Sequence, residues 1–427
     1  MKKNFFTFIF LGTLVFTNVV AAESSGNTQP AQNLKAAPAG LTPSTIPTGN
    51  ALFPVNGAPR SLVTPPPPAI NATGYILQDA DSGVTLASSN PDKRLAPASL
   101  TKIMTSYIVA AAVKAGRIHP DDPVTISEKA WRMGGSKTFI KIGSIVSVKD
   151  LLQGIIVQSG NDACVAMAEC VAGSEDAFVN LMNQQAAILG MKNTHFTDST
   201  GMPDPNHYTT PRDMAVLSRA LIRDFPEDYK WYSQKWYVYN NIRQPNRNRL
   251  LWRDSSVDGI KTGHTDDAGF CLVASAKRNN MRLVSVVMGS PSDNQRANDS
   301  QELLNYGFRF FETHKLYDAG KPINYARVWF GKSKKIPIGM SYDLSVTVPV
   351  GQFNQVKTEK TFDMNLKAPV QKGQVVGTIS FLLNNKVLLK EPLSALQEDP
   401  KSGFFRQLSE YIRLGLYRLL GAGGPTA

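Results

Sequence analysis

The chain has 427 residues, a net charge of +12 and 42% hydrophobic residues. That length exceeds what one hydrophobic core usually serves, so two folded units with non-globular segments are expected. Three cysteines, an odd number, exclude a disulfide framework. The basic charge comes without a nucleic-acid motif or a basic run interleaved with aromatics, which leaves either an anionic membrane or wall as partner or a generally basic solvated surface.

Residues 1–22 have the layout of a cleaved export signal: Lys2 and Lys3, an uncharged apolar run from Phe5 to Val20, then Ala21-Ala22 before Glu23. A membrane anchor is the competing reading, but the run is short for a bilayer core of about 30 Å. Residues 23–71 are rich in Pro, Ala, Thr, Asn and Gly, carry almost no charge and end near Pro65-Pro66-Pro67-Pro68. Such a stretch cannot bury enough to fold and reads as a disordered spacer.

The first folded unit is expected over residues 72–315. Tyr75–Gln78 and Val84–Ala87 flank an Asp81-Ser82-Gly83 turn as a hairpin. A buried helix is predicted from Ser99, on the spacing of Ile103, Met104, Tyr107, Ile108 and Ala111. Further helices are predicted over Val148–Val157, Asp162–Ala172 and Ser174–Leu189, the last stopping at Gly190, and one starts at Thr210-Pro211. Phe270–Lys277 and Met281–Met288 alternate around Asn279-Asn280 and predict a second hairpin. Residues 316–400 read as a small all-β unit, with strands at Leu344–Val348, Val375–Leu383 and Val387–Leu389. Residues 402–420 then form an amphipathic helix, with Phe404, Phe405, Leu408, Tyr411, Ile412, Leu416, Leu419 and Leu420 opposite Arg406, Glu410, Arg413 and Arg418.

Cys164 and Cys170 are about 9 Å apart along one predicted helix, too far for an unstrained bridge, and with Cys271 read as buried apolar side chains. Among the five histidines, His195 and His207 fall in an irregular segment and read as solvated. No metal-ligand spacing and no phosphate or dinucleotide fingerprint occurs, so neither metal nor cofactor is expected.

Three short motifs carry the chemistry: Ser99-Leu100-Thr101-Lys102, Ser159-Gly160-Asn161 and Lys261-Thr262-Gly263. A serine is a poor nucleophile until a base takes its proton, and Lys102, one helical turn on, is that candidate base. It must be neutral near pH 7, which requires burial or a neighbouring cation such as Lys261. Ser159 can relay a proton to a leaving amine, and Asn161 can hold a substrate amide and the lysine together. Lys261 and Thr262 suit a terminal carboxylate, and Gly263 lets a substrate lie close. The backbone N–H groups of Ser99 and His264 are the candidate oxyanion donors.

These motifs follow the pattern of penicillin-binding proteins, with Ser-Gly-Asn in place of Ser-Asp-Asn. The chain resembles the low-molecular-mass penicillin-binding proteins that act as serine D-alanyl-D-alanine carboxypeptidases. The likeness extends through Ala96-Pro97-Ala98, Gly134-Gly135-Ser136, Tyr208-Thr209-Thr210-Pro211-Arg212-Asp213, Asn246-Arg247-Asn248, Val257-Asp258-Gly259-Ile260 and Gly307-Phe308-Arg309-Phe310-Phe311-Glu312. It implies an α/β (α+β) transpeptidase/β-lactamase-like catalytic domain with an antiparallel sheet between helical layers, then a small all-β domain. The C-terminal amphipathic helix would lie on the periplasmic face of the cytoplasmic membrane.

The implied reaction removes the terminal D-alanine of peptidoglycan stem pentapeptides through an acyl-serine, and β-lactam antibiotics would acylate the same serine. Phe270-Cys271 stands where such enzymes more often have Tyr-Asn, so Cys271 either alters the pocket or points into the core. A D,D-endopeptidase, a β-lactamase and a weakly catalytic wall scaffold are the alternatives. Against the β-lactamase, Gly190–Thr210 offers Asp198 and Asp204 but no glutamate.

Overall fold

The computed structural model describes residues 64–363 and 366–419, with side chains to residue 414. The export signal, most of the Pro-rich spacer and Leu420 lie outside the described residues.

A five-stranded antiparallel sheet organises the first part, in the order Thr85–Ser89, Gly74–Asp79, Met281–Ser290, Gly269–Arg278, Val257–Thr265. Strands Gly269–Arg278 and Met281–Ser290 carry near-continuous apolar runs because both faces are covered. One face packs on helices Lys102–Lys114, Asn161–Ala172, Glu175–Ile188 and Pro211–Asp224 around Ile103, Met104, Val165, Phe178 and Leu217. The other packs on helix Asp293–Phe310 through Leu303 and Leu304. Side-chain caps start these helices: Ser174 accepts from the Ala177 N–H, Thr210 from Asp213 and Ser292 from Gln295.

A second five-stranded sheet, Pro322–Arg327, Lys335–Gly339, Lys386–Ala395, Val375–Leu383, Lys357–Phe362, forms the β-rich part. Beside it, Phe311–Tyr317 pairs with Leu344–Pro349. Two hydroxyl contacts join this pair to the first sheet: Thr313 Oγ1 donates to Asp79 Oδ2 at 2.7 Å, and Ser82 Oγ lies 2.6 Å from Thr347 Oγ1.

Several expectations change. The helix expected from Ser99 begins at Lys102, preceded by a 3₁₀ turn over Ala98–Thr101. The stretch Val148–Val157 is α-helical only to Gln153 and continues as a π turn, Gly154–Gln158. The division at residues 315/316 falls inside strand Phe311–Tyr317, because helix Asp293–Phe310 runs into that strand with no Gly or Pro between them. The spacer's end is packed: Ile70 lies against the second core cluster, and Tyr306 Oη donates to the Pro65 carbonyl at 3.0 Å. The strand at Val387–Leu389 runs on to Ala395. Hairpin Trp236–Tyr239 with Ile242–Pro245 was not anticipated, although its Asn240-Asn241 turn has φ of +47° and +59°, the left-handed values such turns require.

Helix Phe404–Leu419 leaves Phe404, Phe405, Leu408, Tyr411 and Ile412 exposed. Glu410, placed by the sequence on the solvated side, is buried and accepts the Phe330 N–H. Among the described residues no helix is long and apolar enough to cross a membrane.

Cys164 and Cys271 are fully buried and Cys170 is half-buried, which corrects the expectation that all three are buried. Burial pushes the Cys164 thiol up to about 12 and Cys271 up to about 11, which removes the reactive thiolate. Maleimide adducts on the native protein, mapped by mass spectrometry, should be confined to Cys170; denaturant should expose the other two. Labelling of native Cys271 would return it to the pocket.

Candidate active site

The site lies where the edge strand Val257–Thr265 meets the turn Ala98–Thr101. Ala98 takes φ +47°, a left-handed value that bends the chain so that Ser99 stays partly open to solvent ahead of the buried helix. Lys102 follows one turn later and is 1% exposed. Its Nζ lies 3.0 Å from Ser99 Oγ and also donates to the Thr200 carbonyl.

Ser159 ends the π turn at φ +67°, a conformation costing about 1–3 kcal/mol for a non-glycine residue. That bend brings its Oγ within 2.9 Å of Lys261 Nζ, which donates also to the Thr262 carbonyl at 3.0 Å. Ser99 with Lys102 and Ser159 with Lys261 are therefore two hydroxyl–amine pairs drawn from three separate chain segments.

Both amines are buried, and burial holds Lys102 below its ordinary lysine value. Lys261 is driven further down by burial and by the positive charges of Lys102 and Arg247. The repulsion expected between the two amines is present and lowers Lys261. Arg247, not anticipated as a site residue, is exposed as a residue, yet its guanidinium is partly desolvated, and its charge lowers both lysines.

Asn161 is 4% exposed and its Nδ2 donates to the Gly134 carbonyl at 2.8 Å, so its amide holds the 134–136 segment instead of the lysine. The neighbouring Asp162, which sequence reasoning missed, accepts the N–H groups of Thr138, Phe139 and Ile140 and fixes the loop beside the pocket. Thr262 is buried, while His264 is exposed and its ring lies tilted against Phe270 at 4.1 Å between ring centroids. A Cβ on Gly263 would stand 3.0 Å from the Pro97 carbonyl and 3.2 Å from the Ser99 nitrogen, so the strand approaches the nucleophile turn as closely as its backbone allows. Behind it, the buried Arg296 donates to the Gly263 and Cys271 carbonyls, at 2.8 and 3.2 Å, and pairs with Asp293.

The segment Asp198–Gly201 closes the site from the other side. Asp198 Oδ1 accepts from Thr200 N, Thr200 Oγ1 and Gly201 N. Burial opposes its ionisation, but His207 and these donors outweigh it and hold the carboxyl at about 2. His207, expected to be solvated, is 3% exposed and lies 2.9 Å from Thr101 Oγ1 and 3.0 Å from Thr197 Oγ1. Hydroxyls from two segments hold it, a long-range arrangement no local pattern foretells. Ser199 is held by Glu175 Oε1 at 2.7 Å and by Thr105 Oγ1, which donates to its carbonyl at 2.6 Å.

Comparison with known proteins decides the family. Residues 61–292 match the family described as D-alanyl-D-alanine carboxypeptidase. The chain belongs to this family. Residues 311–401 match the C-terminal domain of penicillin-binding protein 5. The D-alanyl-D-alanine carboxypeptidase DacA of Escherichia coli (strain K12) is 48% identical over 362 residues, 83% of this chain and 90% of that protein. Penicillin-binding protein 5 from Haemophilus influenzae superposes with a TM-score of 0.73 at 47% identity, over 78% of this chain and 99% of that one. An ampicillin-bound penicillin-binding protein D2 from Listeria monocytogenes superposes with a TM-score of 0.53 at 28% identity, over 57% of this chain and all of the other. The protein is thus a serine-type D-Ala-D-Ala carboxypeptidase with a mixed α/β catalytic domain and a β-rich second domain.

Gly201, at φ +88°, has no room for a side chain, since a Cβ would meet the Ala98 carbonyl at 1.8 Å. Gly201→Ala should destabilise the fold by about 2 kcal/mol or more in urea denaturation and slow D-alanine release by loosening the Thr200 contact to Lys102. Wild-type stability and rate in that variant would show the contact to be dispensable.

Proposed function

We propose that Ser99 is the nucleophile and Lys102 its general base in the hydrolysis of peptidoglycan stem pentapeptides at the terminal D-Ala-D-Ala bond. Supporting this is the buried Lys102 Nζ at 3.0 Å from Ser99 Oγ, an amine whose lowered proton affinity suits it to take the hydroxyl proton. Ser99 Oγ bonds to the penultimate D-alanine carbonyl carbon, and the backbone N–H groups of Ser99 and His264 receive the developing oxyanion. Ser159, coupled to Lys261, gives its proton to the leaving D-alanine amine as the C–N bond breaks and takes up the proton that Lys102 received from Ser99, which leaves Lys102 neutral. Water then attacks the acyl-serine with Lys102 again accepting a proton, and Ser99 is regenerated.

The substrate lies along the open edge of strand Val257–Thr265. Lys261 is occupied by Ser159 and the Thr262 carbonyl, so its part in carboxylate binding is the field it supplies. Thr262, with the charge of Arg247, makes the contact. Asn161 positions the 134–136 segment against which the substrate amide rests.

β-Lactams acylate the same serine. A β-lactamase would need a free base for rapid deacylation, and Asp198 is already committed to Thr200, Gly201 and His207. The protein is exported through residues 1–22 and acts in the periplasm, peripherally on the outer face of the cytoplasmic membrane. The exposed apolar face of helix Phe404–Leu419 supports that attachment.

D-Alanine release from a peptide ending in Lys-D-Ala-D-Ala should vanish in Ser99→Ala, which should also form no covalent penicillin adduct. Release persisting in that variant would overturn the nucleophile. Penicillin acylation should rise with pH through a midpoint below the 10.5 of an ordinary lysine, since only the neutral Lys102 amine accepts the proton. A midpoint at 10.5 would remove Lys102 as base. Protein truncated after Pro400 should leave the membrane fraction; continued pelleting would sink the helix as anchor.

A further inference from the structure

Where helix Phe404–Leu419 leaves the β-rich part, Trp329 bridges to Lys367 and Gly331 bridges to Lys401. These pairings carry both lysines to one cavity of about 420 Å³, whose wall includes Phe330, Gln407 and Tyr411. Both lysines are exposed, and among the described residues neither has a carboxylate partner. The two nearby carboxylates do not line the cavity: Glu410 accepts the Phe330 N–H and Asp399 Oδ1 accepts the Ser333 N–H. The cavity wall therefore carries two lysines that form no ion pair among the described residues, with Asp399 buried behind them.

Tyr411 belongs to two surfaces at once. Its ring lies 4.5 Å from Phe330 in the cavity wall, and it is 64% exposed on the apolar face shared with Leu408 and Ile412. A ligand that fits both must join an anionic head to an apolar tail.

We propose that this cavity seats the phosphate head of an anionic glycerophospholipid between Lys367 and Lys401, with the acyl chains continuing beside the exposed face of the helix. The assignment rests on the membrane attachment proposed above and adds a lipid class to it. The helix supplies insertion and the cavity supplies selection.

Sedimentation of the full protein with vesicles tests both layers. Vesicles of phosphatidylcholine alone are compared with vesicles containing one third phosphatidylglycerol, and each variant is assayed on a soluble peptide to show that the enzyme is folded. Lys367→Gln with Lys401→Gln should lower partitioning onto the anionic vesicles about 10-fold to 30-fold and leave the weaker binding to neutral vesicles unchanged. Lys386→Gln with Lys390→Gln, the same charge change on exposed residues of the outer sheet, should have less than about a threefold effect. Equal losses in the two pairs would overturn the site in favour of diffuse attraction. Binding of free sn-glycerol 3-phosphate that depends on Lys367 and Lys401, without any effect of vesicle composition, would overturn the lipid assignment. Wild type that binds neither vesicle would overturn the membrane attachment itself, a result distinct from loss of lipid preference.

Discussion

Two lysine side chains in the dry interior constrain everything around them. An ammonium group removed from water costs several kcal/mol unless its protons find acceptors. Here each finds one hydroxyl and one carbonyl: Ser99 and Thr200 for Lys102, Ser159 and Thr262 for Lys261. Among the described residues no carboxylate forms an ion pair with either, and burial lowers the proton affinity of both. A serine hydroxyl beside a weakly protonated amine is the outcome of that burial.

The scaffold reads as the apparatus that keeps this arrangement in place. The Ala98–Thr101 turn is held from one side by strand Val257–Thr265, whose Gly263 carbonyl is pinned by Arg296 from the helix behind the sheet. On the other side, the Asp198–Gly201 segment is tied down by Asp198, Glu175, Thr105 and His207. Strained backbone at Ala98 and Ser159 is tolerated because rigid helices enter and leave those bends. The β-rich part meets the first sheet at its far strands, where Thr313 bonds to Asp79 and Thr347 lies against Ser82.

Legibility followed the range of the interaction. The hairpin around Asn279-Asn280 and the Ser174 and Thr210 caps are written within a few residues, and they appear where the pattern puts them. The Trp236–Pro245 hairpin carried the same kind of signal in Asn240-Asn241, but its short strands alternate too weakly to stand out. His207 and Glu410 look like surface residues in sequence because polarity alone predicts exposure. Their burial depends on acceptors and donors more than 70 residues away along the chain, at Thr101 and Phe330.

What the sequence alone determined was the inventory: a serine and a lysine one turn apart, a Ser-Gly-Asn, a Lys-Thr-Gly, and an apolar helix face near the end. Local spacing suffices for these because helix and strand periodicities are properties of neighbouring residues. Tertiary structure decided which groups actually touch. It gave Lys261 to Ser159, turned Asn161 toward Gly134, brought Arg247 within electrostatic reach of both lysines and buried Cys271. Those outcomes depend on packing between segments far apart in the chain, and on the desolvation that only a completed interior imposes.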